Sequence, residues 1–230
     1  MAAAVGRYAT TRALFTDMSD VDDVLPEHTS AVIVLLAAGE SRRYGGIKQL
    51  ADIDGEPMVR RAALAALACN APVIVVVGAH GDLVSAALAD LPLLVVNHPS
   101  WGEGMGSSLA AGVRAAQQSF PRSSGVLVCV ADQPLMTAQW LVTLLHRHQS
   151  APSLIFAVEH QGIAGPPVLF PRDCFDTLMH WSGTRGASAL LEREAFRVER
   201  LVAPDGDGMD VDTPEDLQRA RAQLSQLSAS

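Results

Sequence analysis

The chain is short of the features that would export it, embed it or lay it on a nucleic acid. Its three cysteines, Cys69, Cys129 and Cys174, stand far apart with no C-x-x-C pair. That excludes a disulfide framework and a zinc ribbon, and reads as buried thiols of a reducing compartment. No apolar run approaches the roughly 20 residues of a membrane span. The opening stretch, MAAAVGRYATTRALF, has no proper h-region and is followed by acidic residues, so the expected location is the cytoplasm. Positive charge is scarce as well. A formal net charge of −8 argues against nucleic acid or an anionic membrane as the partner. A small anionic substrate remains compatible with it, because local arginines and a metal ion can reverse the sign inside one cleft.

Two phosphate fingerprints are also missing. A Walker A loop needs G-x-x-x-x-G-K-[ST], and a dinucleotide fold needs G-x-G-x-x-G directly after its first strand; neither occurs. No Ser-His-Asp or Cys-His set is defensible either. What the chain has is apolar material, 49% of 230 residues against 18% charged, enough for one well-filled α/β core. We expect a single domain over residues 30–230 and a flexible extension over residues 1–29, where small and acidic residues dominate.

The organising stretch is Ala31 to Gln49, AVIVLLAAGESRRYGGIKQ. Val32 to Leu36 is a buried parallel strand by length and β-branching. It empties into a loop that carries Gly39, Arg42, Arg43, Gly45, Gly46 and Lys48, where backbone N–H groups and cations meet as a polyphosphate requires. Downstream, Asp54-Gly55 signals a turn and Pro57 starts a helix to about Asn70. Further strands are expected at Pro72–Val77, Leu93–Val96, Gly125–Ala131 and Ala151–Val158, with a helix from Asp82 to Ala89 between the first two. The unalternated βαβαβ order means a parallel sheet covered on both faces, whose ligands sit beyond the carboxyl ends of its strands.

Each distinctive loop falls there. Asn97 to Ser108 places glycines at alternate positions and two serines before a small-residue helix; an ordinary Gly-rich turn with a serine cap reads the same way. Asp132 is released from a strand end, with Pro134 fixing the next turn and Thr137 already capping the helix from Ala138 to His148. It is therefore read as a magnesium ligand in preference to a cap. His146 and His148, two apart on that helix, cannot chelate one metal and are expected to face solvent. Gly162 to Pro171 is too rich in Gly and Pro for a central strand; Gly165-Pro166-Pro167 reads equally as a rigid bend into an edge strand or as a ligand element. Arg185, between Gly183 and Gly186 at an expected helix start, suits an anion. Near the end, Thr213 as N-cap, Pro214 at N1 and acids in the first turn make an ordinary helix start, which leaves Asp210 and Asp212 unexplained.

Leu36, Gly39, Ser41, Arg43, Gly45 and Lys48 fall on L-x-x-G-x-S-x-R-[MF]-G-x-x-K, the signature of the MobA-like nucleotidyltransferases, with Tyr44 at the Met/Phe position. Asn97, Pro99, Trp101, Gly104, Met105, Gly106, Ser107, Ser108, Leu109 and Gly112 resemble a hallmark of molybdenum cofactor cytidylyltransferases, with His98 inserted. A-D-Q-P at Asp132 and D-x-D-T-P-E-D-L at Asp210 to Leu217 extend the resemblance over about residues 31–225.

The resemblance implies a three-layer α/β/α nucleotidyltransferase fold with a mostly parallel, Rossmann-like sheet. It implies transfer of CMP from CTP to the phosphate of the molybdenum cofactor (molybdopterin), giving the cytosine dinucleotide and pyrophosphate. By the same resemblance Leu36, Ala37, Ala38, Gly39, Ser41, Arg43, Lys48, Gly106, Ser107 and Ser108 bind nucleotide, with Arg43 and Lys48 holding pyrophosphate. Asp132 and Asp212, from two strand ends, hold Mg²⁺ (or Mn²⁺ in its place), with Asp210 a weaker candidate. Gly165, Pro166, Arg185 and Gly186 shape the second-substrate side, where Thr184 replaces the family's usual acid. Leu36-Ala37-Ala38-Gly39 is the form associated with CTP. Three other readings stand beside this one: a same-fold enzyme using another small phosphate or GTP, a carrier that hands the cofactor to a recipient molybdoenzyme, and, against the missing fingerprint, a Rossmann oxidoreductase.

Overall fold

The computed structural model describes residues 31–160, 162–183, 186–202 and 208–227. The expected extension over residues 1–29, and Thr184 and Arg185, lie outside the described residues.

In chain order the elements are β1 (Val32–Ala37), β2 (Asp52–Ile53), β3 (Glu56–Pro57), α1 (Met58–Leu67), β4 (Val73–Val77), α2 (Gly81–Ala86), β5 (Leu94–Asn97) and α3 (Met105–Ser119). There follow β6 (Gly125–Val130), α4 (Ala138–Ser150), β7 (Ile155–His160), β8 (Ile163–Pro171), α5 (Phe175–Met179), α6 (Ser188–Arg193), β9 (Val198–Val202) and α7 (Pro214–Leu227). Seven strands form one sheet in the order β5-β4-β1-β6-β8-β7-β9. All its pairs are parallel except those of β8, which runs against both β6 and β7. β1 lies beside β4 and β6, so its loop opens at the centre of the parallel half.

The strand sequences show why the sheet is covered on both faces. Ile33, Leu35, Val75 and Leu127 point to one layer and pack with Val59 and Ala63 of α1 and Leu141 and Leu144 of α4. The alternate residues Val32, Val34, Ile74 and Val126 pack with Leu109 and Val113 of α3 and Phe175 of α5. α3 approaches closely at Gly112, where a Cβ would sit 2.4 Å from Val34 Cγ1. A third, smaller cluster joins Ile53 and Met58 to Leu135, Val211, Leu217 and Leu224. It docks α7 on the β2–β3 hairpin, and Arg221 Nε donates to the Asp52 carbonyl at 3.1 Å.

Several expectations change. Asp54-Gly55 is a turn, but it closes a hairpin: φ is 55° and 85° at its two central residues, the combination that two-residue β loops favour. α1 therefore starts at Met58 and ends at Leu67. β8 is an interior strand despite its glycine and prolines. Its pairing passes from Val158↔Gly165 to Ala157↔Val168 through a register shift, and its pairing to β6 begins only at Val168. Pro166 and Pro167 fall in that gap, so neither has to donate to a ladder. His146 is exposed, but His148 is buried, with Nε2 3.0 Å from Ser124 Oγ. It continues the inward face of Leu141, Leu144 and Leu145. Thr137 does cap α4, its side chain accepting from Trp140 N. The helix expected to start around Arg185 is α6, Ser188–Arg193, and Asp212 belongs to no strand but to the segment that leads into α7.

Candidate active site

A cavity of about 440 Å³ opens beyond the carboxyl ends of β1 and β6, lined by the β1 loop from Leu36 to Arg43, by Lys48 and Gln49, by Trp101, Gly102, Gly104, Met105 and Ser108, and by Asp132 and Asp212. Ser41 is a non-glycine residue at φ 63°, and the loop reverses there, with Tyr44 N donating to Ser41 O. What fixes the loop is Gln49, which is 3% exposed. Its Nε2 donates to the carbonyls of Gly39 (2.7 Å) and Ala37 (3.3 Å), and its Oε1 accepts from Ser41 Oγ at 3.0 Å. One side chain thus ties three points of the loop. A lone glutamine carries no sequence signal of this kind, and nothing in the pattern singled it out. Ala38 is pinned from behind: at Gly78 a Cβ would fall 2.7 Å from the Ala38 carbonyl oxygen and from Trp101 Cβ.

The second loop enters α3 through Gly104 at φ 110°. Ser108 lines the cavity, whereas Gly106 and Ser107 lie behind its wall. Gly106 N donates to Gly183 O, and a Cβ at Gly106 would meet the Ser182 backbone at 2.7 Å. The Ser107 hydroxyl donates to Gly104 O at 2.8 Å and sits 2.9 Å from His98 Nε2. With its single proton on that carbonyl, the oxygen accepts from the imidazole. Burial, and after it Arg114, lowers the His98 pKa from its ordinary 6.5.

Charge converges at the cavity mouth. Lys48 Nζ donates to Asp132 Oδ2 at 2.7 Å and to Asp212 Oδ1 at 2.9 Å, while Arg43 Nη2 reaches Asp212 Oδ2 at 2.8 Å. The Lys48 side chain is only 12% exposed and that of Arg43 75%. Burial works against the ammonium, but Asp132 and then Asp212 outweigh it and hold the Lys48 pKa above its ordinary 10.5. Asp212 is presented by the α7 N-terminus, where Asp216 Oδ2 accepts from Thr213 N and Oγ1 (both 2.8 Å) and Asp212 N (3.1 Å). Asp216 is thereby held down to about 2. Asp210 turns elsewhere: its Oδ1 accepts from Gln133 Nε2 at 3.0 Å, and burial, with Asp132 next, raises its pKa.

Two carboxylates from remote segments therefore meet on one cation. This set fits Mg²⁺ or Mn²⁺, hard ions that take one or two carboxylates and complete their shell with phosphate and water. Among the described residues no group of three or more His, Cys, Asp or Glu could hold a metal by itself, so the nucleotide would supply the rest. Gly165, Pro166 and Gly186 line a second cavity beside the first.

A mostly parallel seven-stranded sheet with this site at its strand ends is an α/β nucleotidyltransferase fold, and a nucleotidyl transferase from Methanothermobacter thermautotroptrophicus superposes with a TM-score of 0.75 at 20% identity, covering 86% of this chain and 99% of its own. Residues 33–199 match the MobA-like NTP transferase domain, and the chain belongs to that family. It is also similar to nicotine blue oxidoreductase of Paenarthrobacter nicotinovorans, 32% identical over 81% of this chain and 94% of the relative. Rv0371c of Mycobacterium tuberculosis H37Rv in complex with manganese is 25% identical, with a TM-score of 0.69 over 84% of this chain and 99% of that one. Among the described residues no helix is long and apolar enough to cross a membrane, and all three cysteines are free.

Proposed function

We propose that the protein transfers CMP from CTP to the phosphate of molybdopterin-bound molybdenum, releasing pyrophosphate. The observation that carries the transferase chemistry is the convergence of Asp132 and Asp212 on one cation at the mouth of the signature-loop cavity. The nucleophile is a phosphate monoester oxygen, anionic at neutral pH, so no side-chain base is needed. Its bond to the α-phosphorus forms as the bond to pyrophosphate breaks, in line.

Asp132 and Asp212 would hold Mg²⁺, with Mn²⁺ as a substitute; the manganese in the mycobacterial neighbour supports this choice. A divalent ion held by these two carboxylates would supply positive charge to offset that developing on the departing pyrophosphate. Lys48, as a point charge, and Arg43, as a fork, hold the pyrophosphate. Gln49 keeps the Gly39 and Ser41 segment shaped for the triphosphate. Catalysis is then positioning plus electrostatics.

Base choice rests on Ala38. It lines the cavity and is pinned by the close approach of Gly78, so its Cβ takes space that a purine would need. The test is pyrophosphate release with Mg²⁺, purified molybdenum cofactor and either CTP or GTP. Release with CTP only, lost in Asp132→Ala, is expected, and Ala38→Gly should raise the share of GTP. Release with GTP in the parent chain moves the protein to guanylyl transfer, and an unchanged ratio in Ala38→Gly removes the steric argument. Silence with both leaves another small phosphate, or delivery of the cofactor to a molybdoenzyme, as the role.

A redox role is the second reading, favoured by the name of the 32% identical relative. Consumption of NAD(P)H with an aromatic acceptor, unaffected by Asp132→Ala, would decide for it.

A further inference from the structure

The second cavity, about 380 Å³, adjoins the first and shares Leu36, Met105 and Val130 with it. Much of its wall is apolar, with Leu109, Val128, Phe170 and Leu191, and side-chain hydrogen-bonding capacity enters through Gln133, His160, Ser188 and Asp210. Two short segments serve both spaces at once. Val211 N donates to Asp132 O at 2.8 Å, which holds residues 132–133 against residues 210–212. Asp132 and Asp212 line the first cavity, while Gln133 and Asp210 line the second. The D-x-D string therefore divides its acids: Asp212 meets Lys48 and Arg43, and Asp210 meets only Gln133 among the described residues. The Asp210 carboxylate has one oxygen held at 3.0 Å and the other without a hydrogen-bond partner among those residues.

We propose that Asp210, braced by Gln133, selects the acceptor by taking N–H donors from the edge of a flat N-heterocycle lodged in the second cavity, and takes no part in metal binding. The chemistry of the walls sets the class. A sugar phosphate carries hydroxyls around its ring, and each one desolvated against aliphatic side chains without a partner costs free energy. A flat heterocycle has apolar faces for those walls and concentrates its donors on one edge, where a single carboxylate can take two of them. Gln133 is 4% exposed, so its amide fixes the carboxylate ahead of binding.

The inference rests on the transfer reading only in calling the occupant an acceptor, and its test needs no turnover. Neopterin monophosphate, followed by its own fluorescence, is titrated into the full chain and into Asp210→Asn, which keeps size and removes charge. Glucose 1-phosphate is the competing probe, and free Mn²⁺ binding is measured in parallel on the parent chain, Asp210→Asn and Asp212→Asn. The expected result is a Kd for neopterin monophosphate at least about 10-fold weaker in Asp210→Asn. Glucose 1-phosphate should compete poorly, and Mn²⁺ affinity should fall in Asp212→Asn alone. Equal pterin binding by the parent chain and Asp210→Asn, tighter binding of the sugar phosphate, binding of neither, or a loss of Mn²⁺ affinity in Asp210→Asn would each overturn it. Pterin binding that depends on Asp210, with no pyrophosphate released by any nucleotide, would sink the transfer reading and leave this one standing.

Discussion

From β5 through β4 and β1 to β6, four strands run parallel in unbroken register. From β6 to β7 the direction reverses twice, and the β7–β8 pairing shifts between Ala157 and Val158. The regular half supplies the β1 loop and Asp132, which line the first cavity and, on the proposed reading, would have to be fixed relative to one another to meet a triphosphate. The irregular half supplies much of the second cavity, through Gly165, Pro166, Val168 and Phe170 of β8. The contrast separates two tasks. On the proposed reading, the transfer chemistry would sit on regular strands whose ends are defined by the ladder, and recognition of the acceptor where bulges and prolines let the wall take other shapes.

The strongest way to break this comparison is to strip the charge from the regular half. Lys48→Met removes the cation between Asp132 and Asp212 and should lower pyrophosphate release by about 10²- to 10³-fold. It should also destabilise the metal-free protein by roughly 1–2 kcal/mol, less than a fully buried pair because both acids are partly exposed. Mn²⁺ should then raise the melting temperature of the variant more than that of the parent chain. If metal-free stability is unchanged, the carboxylates do not depend on Lys48.

A smaller effect compares one glycine from each half. Gly112→Ala places a Cβ 2.4 Å from Val34 Cγ1 and 3.0 Å from Val76 Cγ2, and should cost about 1–3 kcal/mol in urea unfolding. At Gly165 no atom lies within 4 Å of an added Cβ, so Gly165→Ala should stay within about 0.5 kcal/mol. Equal losses at the two positions would erase the difference in tightness.

The smallest effect is on pH. Burial lowers the pKa of His148 below its ordinary 6.5. The unfolded chain then binds the proton first, so this group's contribution is present above about 6.5 and is lost as pH falls below it. His148→Asn should flatten the drop in urea midpoint between about pH 7 and pH 5. His98, on the regular half, shifts the same way and leaves a residual slope; a slope unchanged in His148→Asn would place the proton uptake elsewhere.

Sequence pattern reaches the regular half well. The run Val32 to Leu36 is β1 to within a residue, Asp132 follows β6 after Ala131, and Thr137 caps α4, because periodicity and capping are local properties. β8 escaped because the rule against proline in a central strand holds for paired positions, and the pairing gap around Pro166 and Pro167 is set by β6 and β7. His148 was legible in principle, three and four residues past Leu145 and Leu144; comparing it only with His146 hid that. Gln49 and the division between Asp210 and Asp212 depend on contacts across the chain, which spacing alone does not carry.

Lys48 and Asp212, which share a hydrogen bond, are 164 positions apart. Asp212 is held in place by α7, which itself leans on the β2–β3 hairpin through Arg221. No fragment that lacks either the β1 loop or the segment leading into α7 can therefore assemble the charged centre. A proteolytic remnant that stops short of α7 would lose Asp212 from the centre and leave Lys48 paired with Asp132 alone.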